Sequence, residues 1–177
     1  MLGLEKRIKD FRLKRRPAMK LEEIQTKPFT LFDKDWALIT AGDSNKYNTM
    51  TISWGTMGTI WNKPVVIVFV KPIRYTHSFM MNNDYFTVSF YDEKYRQNLQ
   101  ILGSKSGKNE DKISLTDLHP VFLEKGVTFK EAKQTYVLKK IYASSLDSKA
   151  IPEFAHNTYY LNEEEHYMFI GEVKEVL

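Results

Sequence analysis

The chain has 177 residues, 42% of them hydrophobic and 14% aromatic, with no cysteine and a formal net charge of +4. That length predicts one domain, able to bury roughly 70% of its unfolded surface without staples, and the composition excludes a disordered polymer. The missing cysteine excludes disulfides, thiolate nucleophiles and cysteine-ligated clusters, which accords with a reducing cytoplasm.

The positive charge is local. Residues 1–18 hold Lys6, Arg7, Lys9, Arg12, Lys14, Arg15 and Arg16 against Glu5 and Asp10, so residues 19–177 sum to −1. The chain therefore divides into a basic N-terminal extension, 1–18, and a near-neutral domain, 19–177. Leu4, Ile8 and Phe11 fall at helical spacing within the extension and Pro17 ends the pattern. Such a helix suits a membrane or nucleic-acid surface, packing on the domain or a partner, or an extension upstream of a natural start at Met19. No apolar run is long enough for a membrane-spanning helix, Val65 to Val70 being the longest. The expectation is a cytoplasmic protein with no membrane or nucleic-acid partner.

Trp36 to Ala41 reads as a strand, and the turn formers Gly42-Asp43-Ser44-Asn45 predict a hairpin over 36–54. In its second arm Met50, Ile52 and Trp54 share one face and Thr49, Thr51 and Ser53 the other. Gly55, Gly58 and Trp61 predict a loop over 55–62. Val65 to Val70, apolar throughout and bracketed by Pro64 and Pro72, predicts a strand covered on both faces. The turn after it, Lys71-Pro72-Ile73-Arg74-Tyr75-Thr76, offers an ammonium, a guanidinium and a hydroxyl, which is good phosphate chemistry. Alternating Thr and Ser on a half-buried strand are ordinary, and an arginine after a strand is usually just solvated.

Thr76 is placed to cap a helix over 77–82. Tyr85 to Tyr91 predicts a strand with Phe86, Val88 and Phe90 opposing Thr87 and Ser89. Asp92 and Gly103 would start and stop a helix whose Tyr95, Leu99 and Leu102 share a face. Ser104 to Lys112 is a polar loop, by itself an ordinary connector. Strands over 134–143 and 166–176 flank a segment with Pro152 and many aromatics. At least six short strands with few helices predict a mainly β fold, an antiparallel barrel closed or partly open. His77, His119, His156 and His166 are widely spaced, which argues against a zinc site, and no P-loop, GxGxxG or G-x-S-x-G motif occurs.

The runs WALITAGD at 36–43, NTMTISWG at 48–55, KPVVIVFVKPIRYTHSF at 63–79, YFTVSFYDEKYRQNLQILGSKSGKNEDK at 85–112 and HYMFIGEV at 166–173 resemble the FMN-binding split-barrel family, in its flavin reductase and flavoredoxin branch. The resemblance implies a Greek-key split β-barrel with a few peripheral helices, forming a two-fold homodimer with FMN near the interface. It implies that Asn48, Met50, Thr51, Ser53 and Trp54 lie against the isoalloxazine and ribityl chain. Trp54 is equally consistent with a core position. Arg74, Tyr75 and Thr76 would hold the 5′-phosphate, with Lys71 nearby or solvated. From the family's SG-R-D-x-DK loop come Ser104, Ser106, Gly107 and Lys112. Lys108 and Asn109 depart from that pattern, so no bidentate contact is assigned to position 108. His166 would face flavin or nicotinamide, or sit on the surface at a strand start. The implied activity is an FMN-dependent oxidoreductase passing reducing equivalents from NADH or NADPH to an acceptor. Alternatives are a flavoredoxin-like electron carrier with a protein partner and, more distantly, a nucleic-acid-binding barrel.

Overall fold

Residues 17–177 are described by the computed structural model, so the expected basic helix lies almost wholly outside the described residues. Strands β1 (Ala37–Gly42) and β2 (Tyr47–Ile52) form the expected hairpin, with Ala37 opposite Ile52 and Gly42 opposite Tyr47. Its turn is closed by the Asp43 carboxylate, which accepts from the amides of Asn45 at 2.8 Å and Lys46 at 3.2 Å. Gly42 is required there: its φ is +115°, and a Cβ would fall 2.3 Å from the Lys46 carbonyl oxygen.

The expected loop at 55–62 is instead a strand. β3 (Gly55–Ile60) pairs antiparallel with β4 (Lys63–Val70), and Trp61 and Asn62 make the turn with φ of 52° and 57°. Two consecutive left-handed residues are the geometry that matches strand twist in a two-residue hairpin. Of the glycines that read as loop formers, Gly55 serves packing, the Phe32 ring standing 2.6 Å from where a Cβ would be, while Gly58 faces open space. β4 is also less enclosed than expected, because Ile67 and Phe69 are only half-buried while Val65, Val66, Val68 and Val70 are buried.

Helix α1 (Tyr75–Asn82) starts two residues earlier than expected, with Arg74 rather than Thr76 at its N-cap. β5 (Tyr85–Phe90) follows, and then a 3₁₀ turn at Glu93–Tyr95 that feeds α2 (Arg96–Ser104). Gly103 lies inside α2 and Lys105 caps it, two residues later than the glycine predicted. The short pair β6 (Pro120–Phe122) and β7 (Val127–Phe129) was not evident in the sequence. It explains why Thr87 and Ser89 on β5 are as buried as the alternate apolar residues. The Thr87 hydroxyl donates to the Val127 carbonyl, and Ser89, Thr128 and Thr135 bond one another at 2.7–3.0 Å. β8 (Gln134–Ser145), α3 (Glu153–Tyr159) and β9 (Tyr167–Val176) complete the chain.

Seven strands form one antiparallel sheet in the order β2-β1-β5-β8-β9-β4-β3. Register irregularities at Val137/Leu138 and Lys140/Tyr142 interrupt the β8–β9 ladder, the kind of break that bends a sheet. The sheet curls until Met50 and Ile52 of β2 share one core with Val66 and Val68 of β4, Phe86 and Val88 of β5, and Phe169 of β9. Gly171 permits that closeness, since a Cβ there would lie 2.7 Å from both Leu138 and the Phe86 ring. On the outer face, Leu99 and Leu102 of α2 pack with Leu38 and Phe129 as a second core. Curling brings the ends of β2 and β4, the start of α1 and the end of α2 to one rim. Among the described residues no helix is long and apolar enough to cross a membrane.

Candidate functional site

Two neighbouring cavities open at that rim. One, of about 250 Å³, is walled by Met50, Ile52, Trp54 and Phe69, with Lys71, Arg74 and His166 at its polar side. The other, of about 200 Å³, lies between the start of α1 and the 104–112 loop. Met50 and Arg74 border both.

The second cavity is built for an anion. It is lined by Arg74, Lys105 and Lys112 together with Asn48, Tyr75, Thr76, Ser104, Ser106 and Gly107, and no carboxylate is among its lining residues. Arg74 takes an extended conformation at the N-cap of α1, and its guanidinium donates to the Gly103 carbonyl near the end of α2. That bond fixes the fork across the cleft. Five donors and one engaged there leave others for a ligand. The buried Lys112 ammonium donates to the carbonyls of Leu102 at 2.9 Å and Lys105 at 3.0 Å, where the helix dipole favours a cation. Burial, and next the repulsion of Arg74, lower its pKa to about 8, with Glu110 opposing.

Asn48 and Gly107 hold the two sides of this corner together. Asn48 Nδ2 donates to the buried Thr76 hydroxyl at 2.7 Å, and Asn48 Oδ1 sits so close to Gly107 that a Cβ would stand 2.1 Å away. Loop and helix are thus clamped through one amide. The loop's serines are partly engaged within it: Ser104 donates to Ile101 at 3.2 Å, and Ser106 accepts from the Lys108 amide at 3.3 Å. Lys108 itself is exposed and lines neither cavity.

The first cavity is capped by an arch at 159–166. Tyr159 meets Trp54 edge-on at 4.9 Å, and the His166 ring lies over Trp54 at 4.7 Å with a tilt of 35°. Tyr160 Oη is 2.9 Å from His166 Nδ1. Burial, reinforced by the Lys71 ammonium and opposed by Glu163, pushes His166 down to about 4, so the imidazole is neutral near pH 7. Lys71 is neither solvated nor turned to the cationic corner. It donates to the Tyr159 carbonyl at 3.2 Å, pairs with Glu163 and stands 5.6 Å over the Tyr160 ring.

Every singled-out residue therefore lies at this rim, but not all in the expected manner. The Thr51 hydroxyl donates to the Leu99 carbonyl of α2, and Thr49 and Thr40 bond each other, so the hydroxyl face of β2 chiefly secures the fold. Ser53 is exposed at the first cavity's edge. Trp54 is half-buried against the arch rather than in the core. Sequence reasoning missed Phe69, Tyr159, Tyr160 and Glu163. Pro152 followed by Glu153 was an available helix-start signal for the segment leading into the arch.

A curled antiparallel sheet with an apolar, aromatic slot beside a cationic corner defines a small barrel suited to a planar ligand carrying an anionic group. Residues 30–177 match the flavin reductase like domain family, and the chain belongs to that family. The fold is its split barrel. A flavoredoxin from Methanosarcina acetivorans superposes with a TM-score of 0.64 at 21% identity, covering 90% of this chain and 75% of that one. The flavoredoxin of Desulfovibrio vulgaris (Miyazaki F) gives 0.64 at 22%, covering 90% and 76%. An FMN-binding protein from Thermus thermophilus, with bound 1-cyclohex-2-enone, gives 0.64 at 19%, covering 90% and 80%. No curated protein matches the chain.

Proposed function

We propose that this protein binds FMN across the two cavities and acts as a flavin reductase-like oxidoreductase, taking reducing equivalents from NADH or NADPH and passing them to a small-molecule or protein acceptor. The observation that carries the reading is the pairing of the corner at Arg74 and Lys112, free of lining carboxylates, with the adjoining slot of Met50, Ile52, Trp54 and Phe69. A phosphate monoester needs the first and a flat heteroaromatic ring the second. The donor set fits the group.

In this reading Arg74, Lys112 and the first amides of α1 hold the phosphate, and Met50, Trp54 and Phe69 exclude water from the ring. Bound flavin supplies the hydride chemistry, while the protein supplies position and electrostatics. His166, uncharged near pH 7, contributes a hydrogen bond rather than a fixed positive charge. The arch tethered by Lys71 and Glu163 also favours retention of the ligand, which supports a second reading as a flavoredoxin-like carrier. The visible spectrum of the purified protein, and identification by mass of what heating releases, test FMN binding. Steady oxidation of NADH or NADPH supports the reductase, and tight flavin with negligible turnover supports the carrier. A colourless protein that cannot be reconstituted with FMN would overturn both.

A further inference from the structure

Tyr160 is the least expected member of the site. It is buried at 6% exposure, yet its phenol oxygen lies 2.9 Å from Nδ1 of a histidine that lines the ligand cavity. A neutral imidazole has one donor and one acceptor nitrogen, and a neighbour fixes which is which. Nδ1 is the hydrogen-bond partner of that phenol oxygen, and burial raises the phenol's pKa, so its proton is kept and is available to Nδ1. The other nitrogen, Nε2, has no partner among the described residues and is not sealed from solvent, although it belongs to a cavity wall.

We propose that Tyr160 is a positioning residue: its hydroxyl donates to Nδ1 of His166 and holds the tautomer whose Nε2–H is offered to the cleft. The inference rests on the functional reading only for the identity of the ligand. The chemistry named is a neutral N–H donor aimed at an acceptor atom, a carbonyl oxygen or unprotonated ring nitrogen, of the planar ligand. Trp54 fixes the plane of the imidazole by stacking, and Tyr160 fixes its protonation. The charged groups facing this pair are Lys71 and Glu163, with Glu165 acting on Tyr160. Lys71 sits over the Tyr160 ring and opposes a second proton on His166.

Protein labelled with ¹⁵N-histidine, free of flavin and at neutral pH, reads the tautomer directly in long-range ¹H–¹⁵N spectra. The His166 signals are assigned by their loss in His166→Gln. The expected pattern is protonated Nε2 and bare Nδ1, moving toward a tautomer mixture in Tyr160→Phe, which keeps the ring and its packing. A proton on Nδ1 in the unaltered protein, or an unchanged pattern in Tyr160→Phe, overturns the proposal. A flavin titration adds a readout of donor position. A glutamine amide reaches the place of Nε2–H and an asparagine amide the place of Nδ1–H. His166→Asn is therefore expected to bind FMN about tenfold more weakly than His166→Gln, a difference of one net hydrogen bond. The reverse order overturns the proposal. If FMN binds none of these proteins the functional reading fails, and the spectra still decide the tautomer.

Discussion

Arg74 is the side chain on which both cavities converge, so its replacement separates ligand binding from folding. Arg74→Ala removes a charge-assisted contact of about 1.5–3 kcal/mol and should weaken FMN binding ten- to a hundredfold by titration. Arg74→Lys keeps the charge without the fork and should fall between. Lys112 gives a second test, through pH. Its folded pKa of about 8 lies below the ordinary 10.5, so between those values the unfolded chain binds the extra proton and the flavin-free protein gains stability as pH rises. Phosphate binding needs the ammonium, and a phosphate monoester is already dianionic there, its second pKa being about 6. FMN affinity should therefore fall above about pH 8, by at most about tenfold per unit, while stability moves the other way. In Lys112→Met the affinity trend should vanish.

The strands and helices matter to the site through how tightly they approach. β9 pairs with β8 at Gly171, opposite Lys140, and a methyl group there meets Leu138 and Phe86 at 2.7 Å. Gly171→Ala should cost about 1–3 kcal/mol, read as a lowered denaturation midpoint with an unchanged slope in denaturant. Strand existence was legible where alternation or a dense apolar run was strong: β1, β2, β4, β5, β8 and β9 fall near their expected places. β3 was not legible, because Gly55 and Gly58 are poor strand residues and its pairing is imposed by β4. α1 and α2 were expected with ends displaced by up to three residues, since Arg74 rather than Thr76 precedes the first, and the second starts at Arg96 after the 3₁₀ turn that Asp92 precedes and runs through Gly103. The arch at 159–166 had no periodicity to find. Its members are held over the cleft by Lys71 and Trp54, both distant in sequence.

For the molecule as a whole, we propose a homodimer, supported by the half-buried Ile67 and Phe69 and by the exposed Ile73, Phe154 and Leu161. Light scattering coupled to gel filtration should give twice the chain mass, and a monomer with undiminished FMN affinity would refute it. Removing residues 1–18 should leave FMN affinity within about twofold, since the cleft residues named above all belong to 19–177, which by itself sums to −1.

The sequence by itself determined the fold class, a mainly β antiparallel architecture, and the segments that carry the cleft. Strand period, turn chemistry and the run from Lys71 to Thr76 are local properties, readable along the chain. Only the tertiary structure decided what each polar group does. Lys71 went to the arch, Thr51 to a helix carbonyl, Asn48 to a clamp between loop and helix, and Tyr160 to His166. Hydrogen bonds are made between groups brought together by folding, and a residue's neighbours across the curl of a sheet are not written in its own stretch of chain.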